Sequence, residues 1–479
     1  MPSGLRCIVC DNYGMGPQNN FRYVDLFSGC GGLSLGLERA GGNLELAVER
    51  SEMAGETFYH NLISRITSED QWQGFLASGI VAQAGQHLVI SELQNVLNNS
   101  VVMQRLKEQE LDLVVGGPPC QGFSLAGRRN PSDTRNQLPW QFLEVVEKTQ
   151  PKMVVIENVV GMRHKFNEDG EDDSVFVQLQ KALASTGPIG YVVQATQANA
   201  LHYGAPQHRP RLLIVGLRKD LAKKADIKST GELWVSDFAS SNQEIPDLSP
   251  TPTIESKDAR TVRQALVGLG NKDEPKNALA TSYLAEMEDN QKWGLEPLIG
   301  AVPNHKPRNH QNHAISRFRF YQLLSSNGVE EKILNRIHNL SLAASESLLA
   351  EVASHLPFPL KSPDGLLTVI SKREFIQKAL ELSTGKHSQR VLKLDHPART
   401  VLTIGDDYVH PFEPRTFTVR ELARFQGFPN AFEFRSKETT GGINRRNEVP
   451  QYSQVGNAVS PWLGLAIGEM VSRTLGVLR

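Results

Sequence analysis

Asp25-Leu26-Phe27-Ser28-Gly29-Cys30-Gly31-Gly32 joins a short apolar run, Tyr23–Phe27, to the amphipathic segment Leu33–Arg39. Glycines at a strand-to-helix turn let the backbone take positive φ and come close to a ligand. Outward from this turn, short apolar runs alternate with longer amphipathic ones as far as Leu217. The strands expected are Tyr23–Phe27, Leu44–Val48, Leu111–Val115, Met153–Glu157, Tyr191–Gln194 and Arg211–Leu217. The helices expected are Leu33–Arg39, Ala54–Asn61, Val101–Gln109, Leu138–Thr149 and Val175–Ala184. Strands separated by helices predict βαβ units and a mostly parallel α/β sheet.

In such a sheet the turn after the first strand lies at the ligand crevice, and an acidic residue ending the next strand, here Glu49, can hold the two hydroxyls of a ribose. No Walker lysine follows the glycines, so the pattern points to an adenosine-containing cofactor rather than a triphosphate.

Leu111–Val115 runs into Gly116-Gly117-Pro118-Pro119-Cys120-Gln121-Gly122-Phe123-Ser124. Two glycines and two prolines make a stiff turn with φ pre-set, which presents the next side chain at the sheet edge. A thiol placed there, with polar neighbours after it, is a candidate nucleophile. Cys30, inside the glycine turn, reads as packing. Cys7 and Cys10 form a C-x-x-C with no second pair to complete a zinc site. Met153–Glu157 ends a strongly apolar strand in a carboxylate, Glu157, which partial desolvation should suit to sharing a proton. Arg209 and Arg211 are two apart, so on extended chain they point the same way, able to hold a carbonyl oxygen, a carboxylate or a phosphate.

The chain of 479 residues, 39% hydrophobic and 22% charged, exceeds one ordinary compact unit, so two domains are expected. Net charge is -1, and any basic surface must be local. Four cysteines fit a reducing cytosol, and neither a signal peptide nor a membrane span is evident. Asp237–Lys257 reads as a linker. Asn304–Asn339 carries Lys306, Arg308, Arg317, Arg319, Lys332 and Arg336 against Glu330 and Glu331, with Phe318, Phe320 and Tyr321 interleaved. That composition suits either a nucleic-acid contact or a solvated helix face. Helices are expected near Glu330–Asn339 and Leu342–Ser354.

Six segments in order resemble the motifs of DNA cytosine-5 methyltransferases of bacterial restriction-modification or orphan type. They are Asp25–Gly32, Gly117–Gln121, Glu157–Val159, Gln207–Arg211, Arg420–Pro429 and Gln454–Val459. The resemblance implies a doubly wound, mostly parallel S-adenosylmethionine-dependent methyltransferase sheet with a second, smaller target-recognition domain. On that pattern residues 1–20 are an extension and 21–217 the catalytic and cofactor-binding domain. Residues 218–448 are the recognition domain, with a supporting motif near 420–429, and 449–479 return to the catalytic domain. Phe27, Ser28, Gly29, Cys30, Gly31, Gly32, Glu49, Pro118, Leu138, Asn457 and Ala458 would line S-adenosylmethionine. The acidic contact to its adenine has no clear counterpart around Gln86–Glu92. Cys120 would attack carbon 6 of a flipped-out cytosine, Glu157 would hold N3 and the exocyclic amine, and Arg211, with Arg209 nearby, would bind O2. No metal is implied. The substrate would be double-stranded DNA, the protein a cytoplasmic monomer with no membrane contact, and any cognate restriction endonuclease a separate protein. The rival readings are a tRNA-modifying relative, which resembles chains with a shorter recognition segment, and an inactive DNA-binding protein, which would lack the cysteine, the glutamate or a loop glycine.

Overall fold

The computed structural model describes residues 20–119, 137–163, 174–270, 277–441 and 447–478. Cys7, Cys10 and Cys120 lie outside them. Eight strands form one sheet in the order β3-β2-β1-β4-β5-β7-β6-β8: β1 Phe21–Leu26, β2 Gly42–Glu49, β3 Leu88–Ile90, β4 Leu113–Gly116, β5 Met153–Val159, β6 Tyr191–Asn199, β7 Pro210–Arg218 and β8 Leu233–Val235. β3, β2, β1, β4 and β5 run parallel, while β7 is antiparallel to both β5 and β6. This is the mostly parallel α/β sheet expected. The six expected strands are all present. β3 and β8 were not foreseen; each is three residues long, too short for a periodicity to register.

Five expected helices form at Gly32–Arg39, Glu52–Leu62, Ser100–Glu108, Leu138–Thr149 and Val175–Ser185. Strand order reverses between β1 and β4, so chain ends diverge there and leave a crevice at the strand carboxyl ends. Gly116 makes the β1–β4 approach possible, because a Cβ there would stand 2.0 Å from the Leu26 carbonyl oxygen.

The C-terminal helix Pro461–Leu478 packs along Gly32–Arg39. A Cβ on Gly36 would meet the Pro461 carbonyl oxygen and the Leu465 nitrogen at 2.3 Å, so the two helices touch backbone to backbone. That contact returns the end of the chain to the glycine turn.

The cores do not divide at Leu217. Leu248, Val262, Tyr283 and Trp293, then Phe417–Phe434, pack into the same apolar cluster as β1, β4 and β5. A second cluster takes its buried members from Phe318 to Val409, with Leu334, Leu349 and Phe375 at its centre. The smaller core is therefore narrower than the expected 218–448. The main sheet itself continues past Leu217, since β8 at Leu233–Val235 pairs with β6. Phe318, Phe320 and Tyr321, on helix Asn312–Ser326, are buried in that second core. Arg319 pairs with Asp364 at 2.6 Å and Arg308 with Asp406 at 2.5 Å. The basic, aromatic stretch thus supplies core and ion pairs, and its rings are unavailable to stack on bases.

Candidate active site

Strand register lines up the site. Val48, Leu26, Gly116 and Ile156 are partners across β2, β1, β4 and β5. One step beyond that row come Glu49, Phe27, Gly117 and Glu157, so four separate segments converge at the carboxyl end of the sheet.

At the first of them the turn is strained into shape. Phe27 has φ 61, Gly29 φ 57 and Gly31 φ 95. The Gly29 amide donates to Glu49 Oε2 at 2.9 Å, and the Ser51 amide donates to Glu49 Oε1 at 2.7 Å. Glu49 is therefore oriented by backbone before any ligand arrives, and burial raises its pKa. A Cβ on Gly29 would meet nothing within 4 Å, so this glycine faces open space. The other glycines do not. A Cβ on Gly32 would stand 2.3 Å from the Val459 carbonyl oxygen, and one on Gly31 would strike Leu62 and Phe58. Cys30 is 3% exposed with its thiol toward the Gln454 carbonyl, and burial pushes that thiol up to about 12. Of the expected cofactor-lining residues, the Cys30 side chain and the side-chain faces of Gly31 and Gly32 are turned toward the protein.

Two buried atoms at this turn lack a partner among the described residues: Asp25 Oδ1 and Ser28 Oγ. Ser34 Oγ donates to the other Asp25 oxygen at 2.6 Å. Burial, partly offset by Ser34, raises Asp25 to about 7. An orphaned carboxylate oxygen and hydroxyl beside an open glycine, with a pre-set carboxylate on the next strand, fit a ligand that combines a cationic head with a ribose.

The second half of the site comes from β4, β5 and β7. Antiparallel pairing sets Glu157 opposite Leu213 and Val159 opposite Arg211, which makes Glu157 and Arg211 diagonal neighbours on one face. Arg211 Nε reaches Glu157 Oε1 at 2.7 Å, with both side chains about 10% exposed. Burial raises the Glu157 pKa, opposed by Arg211 and then Arg209. On the other side, the parallel register brings Gly117 beside Glu157: a Cβ on Gly117 would lie 2.9 Å from Oε2. Asn158 Nδ2 donates to the Pro118 carbonyl at 2.8 Å, pinning the turn that leads to Cys120. The sequence motif Glu157–Val159 includes Asn158 without giving it a role. Leu138 is half-buried at the start of helix Leu138–Thr149.

Arg209 points elsewhere. Fully buried, it donates to the carbonyls of Val401 at 3.1 Å, Gly456 at 2.8 Å and Ala458 at 2.9 Å. Residues two apart on a strand share a face, as expected, but Arg209 precedes β7, where the chain is held by Asn199 and Ala398 instead of a ladder. Its guanidinium grips the carbonyls on either side of Asn457, whose side chain stays exposed. Gln207 ties the same region together, accepting from the Val401 amide at 2.6 Å and donating to Gln426 at 3.0 Å.

The model of the C-5 cytosine-specific DNA methylase family matches residues 21–74 and 86–473. The chain belongs to the C-5 cytosine-specific DNA methylase family. It is thus an enzyme, a DNA cytosine-5-methyltransferase. The type II methyltransferase M.DdeI of Desulfomicrobium norvegicum is 28% identical over 454 residues, covering 94% of this chain and 88% of that protein. M.XorII of Xanthomonas oryzae pv. oryzae is 26% identical over 467 residues, covering 94% and 84%. A crystal structure of a prophage-encoded DNA modification methyltransferase of E. coli has the same fold, with a TM-score of 0.50 and 21% identity over 95% of this chain and all of that one. Family membership implies DNA as substrate and a methyl donor. Among the described residues no helix is long and apolar enough to cross a membrane.

Proposed function

We propose that this methylase transfers a methyl group from S-adenosylmethionine to carbon 5 of one cytosine within a specific double-stranded DNA sequence, using Cys120 as nucleophile. The observation that carries the reading is the placement of the Glu157 carboxylate, which is held by Arg211 on one side and lies against Gly117, three residues before Cys120, on the other.

Glu157, its pKa raised by burial, shares a proton with N3 of the base and accepts from the exocyclic amine. This draws electrons from carbon 6. The Cys120 thiolate adds there, and the ring electrons move to carbon 5. Arg211 meets the O2 carbonyl, where negative charge develops. Arg209 serves as a positioning residue through Val401, Gly456 and Ala458. Loss of the carbon 5 proton then expels the Cys120 sulfur and restores the aromatic ring. Since these groups sit at the carboxyl end of a sheet, the base leaves the duplex to reach them, at a cost of a few kcal/mol.

S-adenosylmethionine supplies an electrophilic methyl group. Glu49 would hold its ribose, with Phe27, Ser28, Gly29, Gly31, Pro118, Leu138, Asn457 and Ala458 forming the remainder of the cradle, and Asp25 would face its ammonium group. The core between Phe318 and Val409 serves target recognition. As with type II methyltransferases, a cognate endonuclease would act as a separate protein, and the enzyme works as a cytoplasmic monomer. Tritium transfer from labelled S-adenosylmethionine to duplex DNA and to tRNA tests this. Duplex DNA alone should be labelled; labelling of tRNA alone, or of neither, overturns the reading.

A further inference from the structure

A groove of about 500 Å³ opens beside His208, lined also by Arg390, Arg399, Thr400, Tyr408 and Asp407. It adjoins the active site by covalent and hydrogen-bonded steps. Gln207 bridges Ala398 in parallel, the His208 amide donates to the Ala398 carbonyl at 2.8 Å, and the Ala398 amide donates to the Pro206 carbonyl at 2.9 Å. Thr400 Oγ1 closes the zipper on the His208 carbonyl at 2.8 Å. Residues 398–401 are thereby laminated onto the segment that leads through Arg209 to Arg211.

The charge of the groove is lopsided. Arg390, Arg399 and, from beneath, Arg209 all act on the Tyr408 phenol, with Asp407 the one opposing carboxylate among the groups that act on it. Among the described residues neither Arg390 nor Arg399 has an acidic side chain within ion-pair distance, in contrast to Arg308, Arg319 and Arg263, which are each paired. His208 and Arg399 are exposed and Arg390 is half-buried. The segment Lys386–Arg399 also carries His387, Lys393 and His396 against Asp395, which Arg263 neutralises at 2.7 Å. Arg390 Nε donates only to the Ser388 carbonyl at 3.3 Å, and a concave surface whose guanidiniums have no ion pair among the described residues, at the rim of a site that receives a flipped base, fits a polyanion's backbone.

We infer that Arg390 and Arg399 grip backbone phosphates of the duplex next to the extruded cytosine, making this groove the sequence-independent anchor of the DNA. The inference rests on the proposed methylation of DNA and adds the residues that hold the strand. It predicts uniform weakening across sequences, since phosphate contacts position without specifying.

The test measures the affinity of the full-length enzyme for a fluorescent mixed-sequence duplex between 50 and 200 mM KCl. Arg390→Gln, Arg399→Gln, the double variant and a control, Lys181→Gln at an exposed position on helix Val175–Ser185, are compared with wild type. Each lost phosphate contact should lower the salt slope by about 1, so the fall in affinity across that range shrinks by about fourfold per arginine. S-adenosylmethionine binding by calorimetry should stay within twofold of wild type, and the control should keep the wild-type slope. A double variant with the wild-type slope overturns the inference even where wild type labels duplex DNA. Wild type that neither binds nor labels duplex DNA overturns both readings, which separates the two failures.

Discussion

Glu157 on β5 and Gly117, one residue past the end of the parallel neighbour β4, stand so close that a single added methyl group at Gly117 would lie 2.9 Å from Glu157 Oε2. The glycine is there to make room for a carboxylate. Gly117→Ala should push Glu157 off Arg211 without opening the core, because Gly117 is itself only half-buried. A misplacement on the order of 1 Å costs about 10²-fold in rate. Steady-state kinetics should show that loss in kcat, with little change in KM for S-adenosylmethionine and an unaltered denaturation midpoint. Unchanged kcat would remove Glu157 from the chemistry.

Arg209 and Arg211 should fail in different ways. Arg211→Ala takes a donor from the developing O2 charge and should lower kcat by roughly 10²- to 10³-fold. It also removes the positive charge that opposes the raised Glu157 pKa, so the Glu157 limb of the pH–rate profile should move to higher pH. Arg209→Lys keeps the charge but loses the planar fork that holds three carbonyls. Urea unfolding should show it less stable by about 2 kcal/mol, with a raised KM for S-adenosylmethionine because Asn457 is no longer fixed. If Arg209→Lys instead lowers kcat at unchanged stability, the two roles are reversed.

Asp25 gives a pH signature in the cofactor-free protein. Its folded pKa, about 7, lies above the ordinary carboxylate value of 3.8. The neutral form is therefore the one the fold favours. Its contribution is complete below about pH 4 and is lost as pH rises through 7. Asp25→Asn does not carry that loss, so its thermal midpoint should rise relative to wild type between pH 5 and pH 8. A difference that stays flat with pH would mean that Asp25 does not titrate in this window.

How far the sequence could be read follows from which interactions are local. Strands such as Met153–Val159 and Leu113–Gly116 declare themselves through continuous apolar runs, and the glycine turn through its spacing. Glu157 and Arg211 were recognisable as separate residues, but their 2.7 Å contact depends on β7 running antiparallel to β5, which no local pattern records. The three acceptors of Arg209 lie about 190 to 250 residues away in sequence, so no local pattern records them. The aromatics Phe318, Phe320 and Tyr321 looked available beside basic residues, yet their partners Leu349 and Phe375 arrive from later helices and bury them. The groove arginines, Arg390 and Arg399, lie well beyond the basic stretch Asn304–Asn339 that composition singled out.

The central claim is that Cys120 forms a covalent bond to the base. It is tested by incubating the enzyme, S-adenosylmethionine and duplex DNA in which 5-fluorocytosine replaces cytosine, then resolving the products under denaturing conditions. Fluorine blocks the final elimination, so the wild-type enzyme should run as a DNA adduct stable to denaturation, and Cys120→Ser should give none. An adduct with Cys120→Ser at the wild-type level would contradict the account.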